Sequence, residues 1–92
     1  MVQRTVTILN RAGMHARPAA MFVQLASKFK SRIGIDKAGL KVNGKSIMGV
    51  IQLGASYNTK LVLEAEGEDE AQALDALEAL FLNRFEEEKP EA

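Results

Sequence analysis

The chain of 92 residues has no cysteine and no tryptophan, and it has only one histidine and two prolines. Without thiols there is no disulfide framework, no thiolate metal site and no cysteine nucleophile. With one imidazole there is no histidine-rich metal site, and the chain is too short for a cofactor domain beside a substrate domain, so neither metal nor organic cofactor is expected. Aromatic residues are 5% of the chain, too few for the stacking platforms of a nucleic-acid binder, and no nucleic-acid partner is expected. No run approaches the roughly 18 apolar residues of a membrane span, and the amino terminus lacks a charged start followed by an apolar stretch. The expectation is a soluble, cytoplasmic monomer with no membrane insertion. It consists of a single domain over residues 1–88 and a fraying acidic tail over 89–92.

Net charge is zero, but the signs are segregated. Residues 1–60 carry ten basic side chains against the single acid Asp36, and the remainder carries eleven acids against Arg84 and Lys89. A basic first part of net +9 suits an acidic protein or a phosphate, while the −9 remainder argues against a general polyanion binder.

Hydrophobic periodicity orders the chain as strand, helix, strand, strand, helix, strand, helix. Residues 2–9 alternate, with Val2, Val6 and Ile8 on one face and Gln3, Thr5 and Thr7 on the other, although Arg4 falls on the apolar side. Residues 16–29 put Phe22, Leu25, Ala26 and Phe29 at helical spacing, and Lys28 and Lys30 suit a helix end. Residues 32–37 and 40–43 are short alternating runs joined at Ala38-Gly39, a hairpin signal. Ser46 is placed to cap a short helix bearing Ile47, Met48, Val50 and Ile51, which Gly54 ends. Residues 60–66 alternate again, with Leu61, Leu63 and Ala65 facing in. Asp69 with Gln72 has capping-box spacing before a helix whose stripe is Leu74, Leu77, Phe81 and Phe85. The fold class expected is α+β, a two-layer sandwich with helices on one face of an antiparallel sheet and Thr5, Thr7 and Glu64 on the wet face.

The single histidine lies in Gly13-Met14-His15-Ala16-Arg17-Pro18-Ala19-Ala20, where the loop meets the first helix. An isolated histidine beside a helix start is most often a surface residue or a cap, but its neighbours point further. Helix N–H groups and the dipole favour an anion attached to the His15 ring, and Arg17 adds a planar fork of donors suited to phosphate. A neutral imidazole is a nucleophile near pH 7, and a positive environment keeps more of it unprotonated. Gly13 permits a tight turn, and Pro18 sits in the first helical turn, where its missing N–H costs nothing.

Gly39-Leu40-Lys41-Val42-Asn43-Gly44-Lys45-Ser46 matches the nucleotide-binding pattern G-x-x-x-x-G-K-S. Its context does not suit that motif, because residues 40–42 are themselves strand-like, Gly49 interrupts the short helix that follows, and no apolar strand ends in an aspartate for magnesium. Ser46 is instead a helix cap. A phosphate there would be tolerated by the helix start and would add about −2 charge among Lys41, Lys45 and the apolar residues beside them. Ile47, Met48 and Ile51 on so short a helix cannot all be buried, and an apolar patch rimmed by lysines is a partner surface.

The Gly13 to Ala19 segment resembles the phosphohistidine motif of HPr, the histidine-containing phosphocarrier family of the bacterial phosphoenolpyruvate-dependent sugar phosphotransferase system. Lys45-Ser46-Ile47-Met48-Gly49-Val50-Ile51-Gln52-Leu53-Gly54 resembles that family's serine site, and the spacing and length also fit. The resemblance implies an open-faced sandwich, strand order 1-4-2-3, with three helices on one side. It implies a phosphoryl carrier, not an enzyme, with His15 accepting phosphate on Nδ1 from phosphorylated enzyme I and passing it to sugar-specific enzyme IIA components. Arg17 would steady the phosphate, Ser46 would be the target of an ATP-dependent HPr kinase/phosphorylase, and Ile47, Met48 and Ile51 would dock partners. Met14 stands where the family usually has leucine or isoleucine, a volume-conserving change. A chiefly regulatory phosphoprotein, of nitrogen or carbon-catabolite type, is the alternative.

Overall fold

Alternation in the strands becomes the two faces of one sheet. In the computed structural model, which describes residues 1–86, the order is β1 (Val2–Thr7), α1 (Ala16–Ala26), β2 (Arg32–Lys37), β3 (Leu40–Asn43), α2 (Ile47–Gln52), β4 (Lys60–Glu66) and α3 (Glu70–Leu82). The acidic tail expected over 89–92 lies outside the described residues. The four strands form an antiparallel sheet in the order β1-β4-β2-β3. Val6, Ile33, Ile35, Leu61, Leu63 and Ala65 point into the core, while Gln3, Thr5, Lys60, Arg32 and Lys41 are exposed. The helices cover the apolar face, and the result is an open-faced α+β sandwich.

Register places Arg4 opposite Leu63, which in turn lies opposite Ile35 and thus in line with Val42. Arg4 therefore faces the helices, but from an edge strand. Its guanidinium reaches past the rim of the core to Asp75 and to Glu78 of α3, the latter at 3.1 Å.

The core joins Phe22 of α1 edge-on to Phe81 of α3 at 6.0 Å, and Phe81 to Phe85 at 4.9 Å. Leu61, Leu63, Leu74 and Leu77 are fully buried around them, each contributing roughly 1.5–3 kcal/mol by leaving water.

Three element ends and one helix cap differ from the sequence pattern, each for a physical reason. The first strand ends at Thr7, two residues early. Ile8 still exchanges backbone bonds with Asn58 and Thr59, but Asn58 has φ +72°, which breaks the ladder. The first helix stops at Ala26 rather than Phe29. Lys28 and Phe29 turn to the tighter bonds on Leu25 and Ala26, and the N–H groups of Lys30 and Ser31 are taken by the Asp69 carboxylate. Lys28 and Lys30 consequently lie beyond the helix end they were expected to cap.

That use of Asp69 also removes the expected capping box with Gln72. Asp69 occupies the N-cap position of α3, yet its carboxylate accepts from Ser31 Oγ and from two backbone groups of the α1–β2 connection. Glu70 instead accepts from Gly67 N–H at 3.1 Å. The last helix ends at Leu82. Arg84, Phe85 and Glu86 then take left-handed φ values of 51°, 52° and 61°, and this turn delivers Phe85 into the core all the same.

Candidate functional site

The His15 loop is built on Gly13. Its φ of +76° is the left-handed region that favours glycine, and a Cβ there would lie 2.8 Å from the Ala55 carbonyl oxygen. Met14 N–H donates to that same oxygen at 2.9 Å, and the Met14 side chain is buried in the core. A buried methionine thus anchors the residue just before the histidine. Nothing in the spacing of the chain announced Ala55 or Ser56 as parts of this site. Asn10, whose side chain donates to the Gly13 carbonyl at 2.8 Å, likewise belongs to neither motif.

His15 is the N-cap of α1, with extended backbone (φ −86°, ψ −169°) and an exposed side chain that makes no capping bond to the helix. Its carbonyl accepts from Ala19 N–H at 3.0 Å, the first bond of the helix. Ala16 and Arg17 therefore carry N–H groups with no intrahelical acceptor, and Pro18 has none to offer. The first turn of α1 contains no acid, so nothing on the helix itself offsets the positive end of its dipole. α3 differs, because Glu70 occupies its first turn. Arg17 is exposed two residues after the histidine, and Pro18, next in the chain, is buried.

The second motif is placed by a separate helix. Ser46 is the N-cap of α2, and its Oγ accepts from Gly49 N–H at 3.1 Å. Lys45 next to it donates to the Phe29 carbonyl at 2.7 Å, which ties the α2 entry to the end of the α1 segment. Val50 is the buried residue of α2, and Ile51 is partly buried against the core. Ile47 and Met48 are 41% and 64% exposed, so these two form the apolar surface, with Ile51 at its base.

The G-x-x-x-x-G-K-S match does not fold as a phosphate loop. Leu40–Asn43 is an antiparallel edge strand, and Ser46 opens a helix of six residues. Among the described residues no group of three or more His, Asp or Glu could hold a metal ion, and no helix is long and apolar enough to cross a membrane.

A helix-covered antiparallel sheet in the order 1-4-2-3, with an exposed histidine at the start of its first helix, defines the class of small histidine phosphocarriers. Comparison with known proteins makes the assignment specific. The family model described as the PTS HPr component phosphorylation site matches residues 2–83. The phosphocarrier protein HPr of Treponema pallidum is 54% identical over 88 residues, which are 96% of this chain and the whole of that protein. The HPr-like protein Crh of Bacillus subtilis is 49% identical over 79 residues, 86% of this chain and 93% of that one. Among solved structures, HPr of Thermoanaerobacter tengcongensis superposes with a TM-score of 0.92 at 51% identity, covering 96% of this chain and 99% of that one. The chain belongs to the HPr family, whose members are phosphocarrier proteins of the phosphotransferase system and not enzymes. A dimer of the T. tengcongensis protein has also been solved, as has a domain-swapped dimer of Crh.

Proposed function

We propose that His15 accepts a phosphoryl group on Nδ1 from phosphorylated enzyme I and donates it to sugar-specific enzyme IIA components. The observation that carries this reading is the exposed His15 at the start of α1, a helix end with no acid in its first turn and with Arg17 beside it. In the transfer the donor's N–P bond breaks as the Nδ1–P bond forms, and the electron pair leaves with the donor imidazole. The N–H groups of Ala16 and Arg17 and the Arg17 guanidinium then hold the added charge. Neither a metal nor an organic cofactor has a step in this exchange.

Ile47, Met48 and Ile51 form the docking patch in this reading, and Ser46 is the target of an ATP-dependent HPr kinase/phosphorylase. Phosphate on Ser46 would set about two negative charges beside that patch and repel an acidic partner without unfolding the carrier. The reading includes one domain over residues 1–88, supported by the one core that joins sheet and helices among the described residues, and a monomer working in the cytoplasm. Sedimentation separates that monomer from the dimers solved for its relatives.

A second reading, regulation through Ser46 with an idle histidine, draws support from the similarity to Crh, a protein described as the catabolite repression HPr of B. subtilis. One experiment separates the two: incubation with phosphoenolpyruvate and enzyme I, with and without ATP and the serine kinase. Acid-labile phosphate that disappears in His15→Ala is the expected result, and Arg17→Lys should slow its appearance because a point charge cannot replace the planar fork. Undiminished acid-labile phosphate in His15→Ala would sink the reading.

A further inference from the structure

The backbone behind His15 is held by a residue outside both motifs. Asn10 is fully buried and holds Gly13 twice: its backbone carbonyl accepts from Gly13 N–H at 3.1 Å, and its side-chain Nδ2 donates to the Gly13 carbonyl at 2.8 Å. The next N–H, of Met14, donates to the Ala55 carbonyl at 2.9 Å. The peptide plane between Gly13 and Met14 is thus fastened at its oxygen by Asn10 and at its hydrogen by Ala55. A rigid plane fastened at both ends has little freedom to rotate. On the far side of His15, the bond from Ala19 N–H holds its carbonyl. The exposed imidazole projects from backbone that is secured before and after it.

We infer that Asn10 is a positioning residue for phosphoryl acceptance, acting on His15 through the Gly13–Met14 peptide. This rests on the reading of His15 as the acceptor. In-line transfer requires Nδ1 to meet phosphorus opposite the departing nitrogen, and a rotated loop moves Nδ1 off that line. The role needs a buried amide. Alanine offers no donor, and an ionised aspartate would set acceptor against acceptor in a site closed to water.

The test uses the full chain carrying Asn10→Ala, with phosphorylated enzyme I as donor and initial rates measured across carrier concentrations. We expect kcat to fall about ten-fold while KM stays within about two-fold, because α2 and its exposed face are untouched. Hydrogen exchange at the Met14 amide should quicken in the same variant. Asp69→Asn, which loosens the fold away from the loop, should keep the wild-type kcat. An unchanged kcat in folded Asn10→Ala, or a loss confined to KM, overturns the inference. If Asn10→Ala does not fold, Asn10→Leu, which keeps the buried volume and removes the donor, takes the same comparison, and loss of fold in both makes Asn10 a folding residue and overturns it too. The exchange measurement needs no phosphoryl donor. A wild-type chain inert to enzyme I, yet with slow Met14 exchange that Asn10→Ala accelerates, would fell the acceptor reading and leave the restraint of the loop standing.

Discussion

Arg4 of β1 and Glu78 of α3 are 74 positions apart in sequence and 3.1 Å apart in space, with Asp75 bonded to the same guanidinium nitrogen. The basic first part of the chain and its acidic last helix meet here. The contact with Asp75, then the charge of Asp75 and Glu78, holds the guanidinium more firmly in its charged form. Arg4→Ala should therefore lower the urea midpoint, and the difference from wild type should shrink in about 1 M salt, where such pairs are screened. An equal difference at low and high salt would assign the loss to packing of the arginine stem instead.

Asp69 gives a pH dependence whose sign is determined. The bond from Ser31 Oγ, then the Lys30 and Ser31 backbone N–H groups, hold its carboxyl below the usual carboxylate range. A depressed folded-state value means stability that is present above about pH 4, the unfolded value, and lost as pH falls through the folded one. Asp69→Asn should be less stable than wild type at neutral pH, and the gap should close below that range. Urea titrations at several pH values measure it, and a gap that widens in acid would contradict the assignment.

Gly13→Ala combines two costs. The new Cβ would meet the Ala55 oxygen at 2.8 Å and the Ser56 Cα at 3.0 Å, both backbone, at a φ of +76°. We expect a loss of about 1–3 kcal/mol of stability together with slower phosphoryl acceptance, because relief of the clash must move the residue two before His15. Denaturation and transfer assays on one preparation test both.

Ser46 separates structure from regulation. Ser46→Ala removes the acceptor for Gly49 N–H and should cost about 1 kcal/mol, as loss of an N-cap does. Acceptance by His15 should continue. Ser46→Asp keeps a capping oxygen and adds charge, so its fold should hold while transfer from enzyme I slows. Equal rates in Ser46→Asp and wild type would remove Ser46 from the regulatory reading.

The period-two strands, the stripe of Leu74, Leu77 and Phe81, the hairpin at Ala38-Gly39 and the cap at Ser46 could all be read from residue order, because each depends on neighbours within one turn or one strand. The placement of His15 at a helix start was legible for the same reason. Three element ends and the capping of α3 were not. The end of α1 depends on Asp69, thirty-nine positions beyond Lys30, which draws off backbone groups that would otherwise have prolonged the helix.

Local pattern thus sufficed for the elements, for the motif around His15 and for the segregation of charge, since nearest-neighbour chemistry decides each of these. Tertiary structure alone could decide that Arg4, on an apolar face by count, ends between two carboxylates, and that Asn10 and Ala55 fasten the peptide before His15. The Arg4 and Ala55 contacts join distant parts of the chain, whose partners meet only once the sheet and helices have packed, while the Asn10 bond spans three residues and owes its isolation from water to the burial that the packed fold gives it.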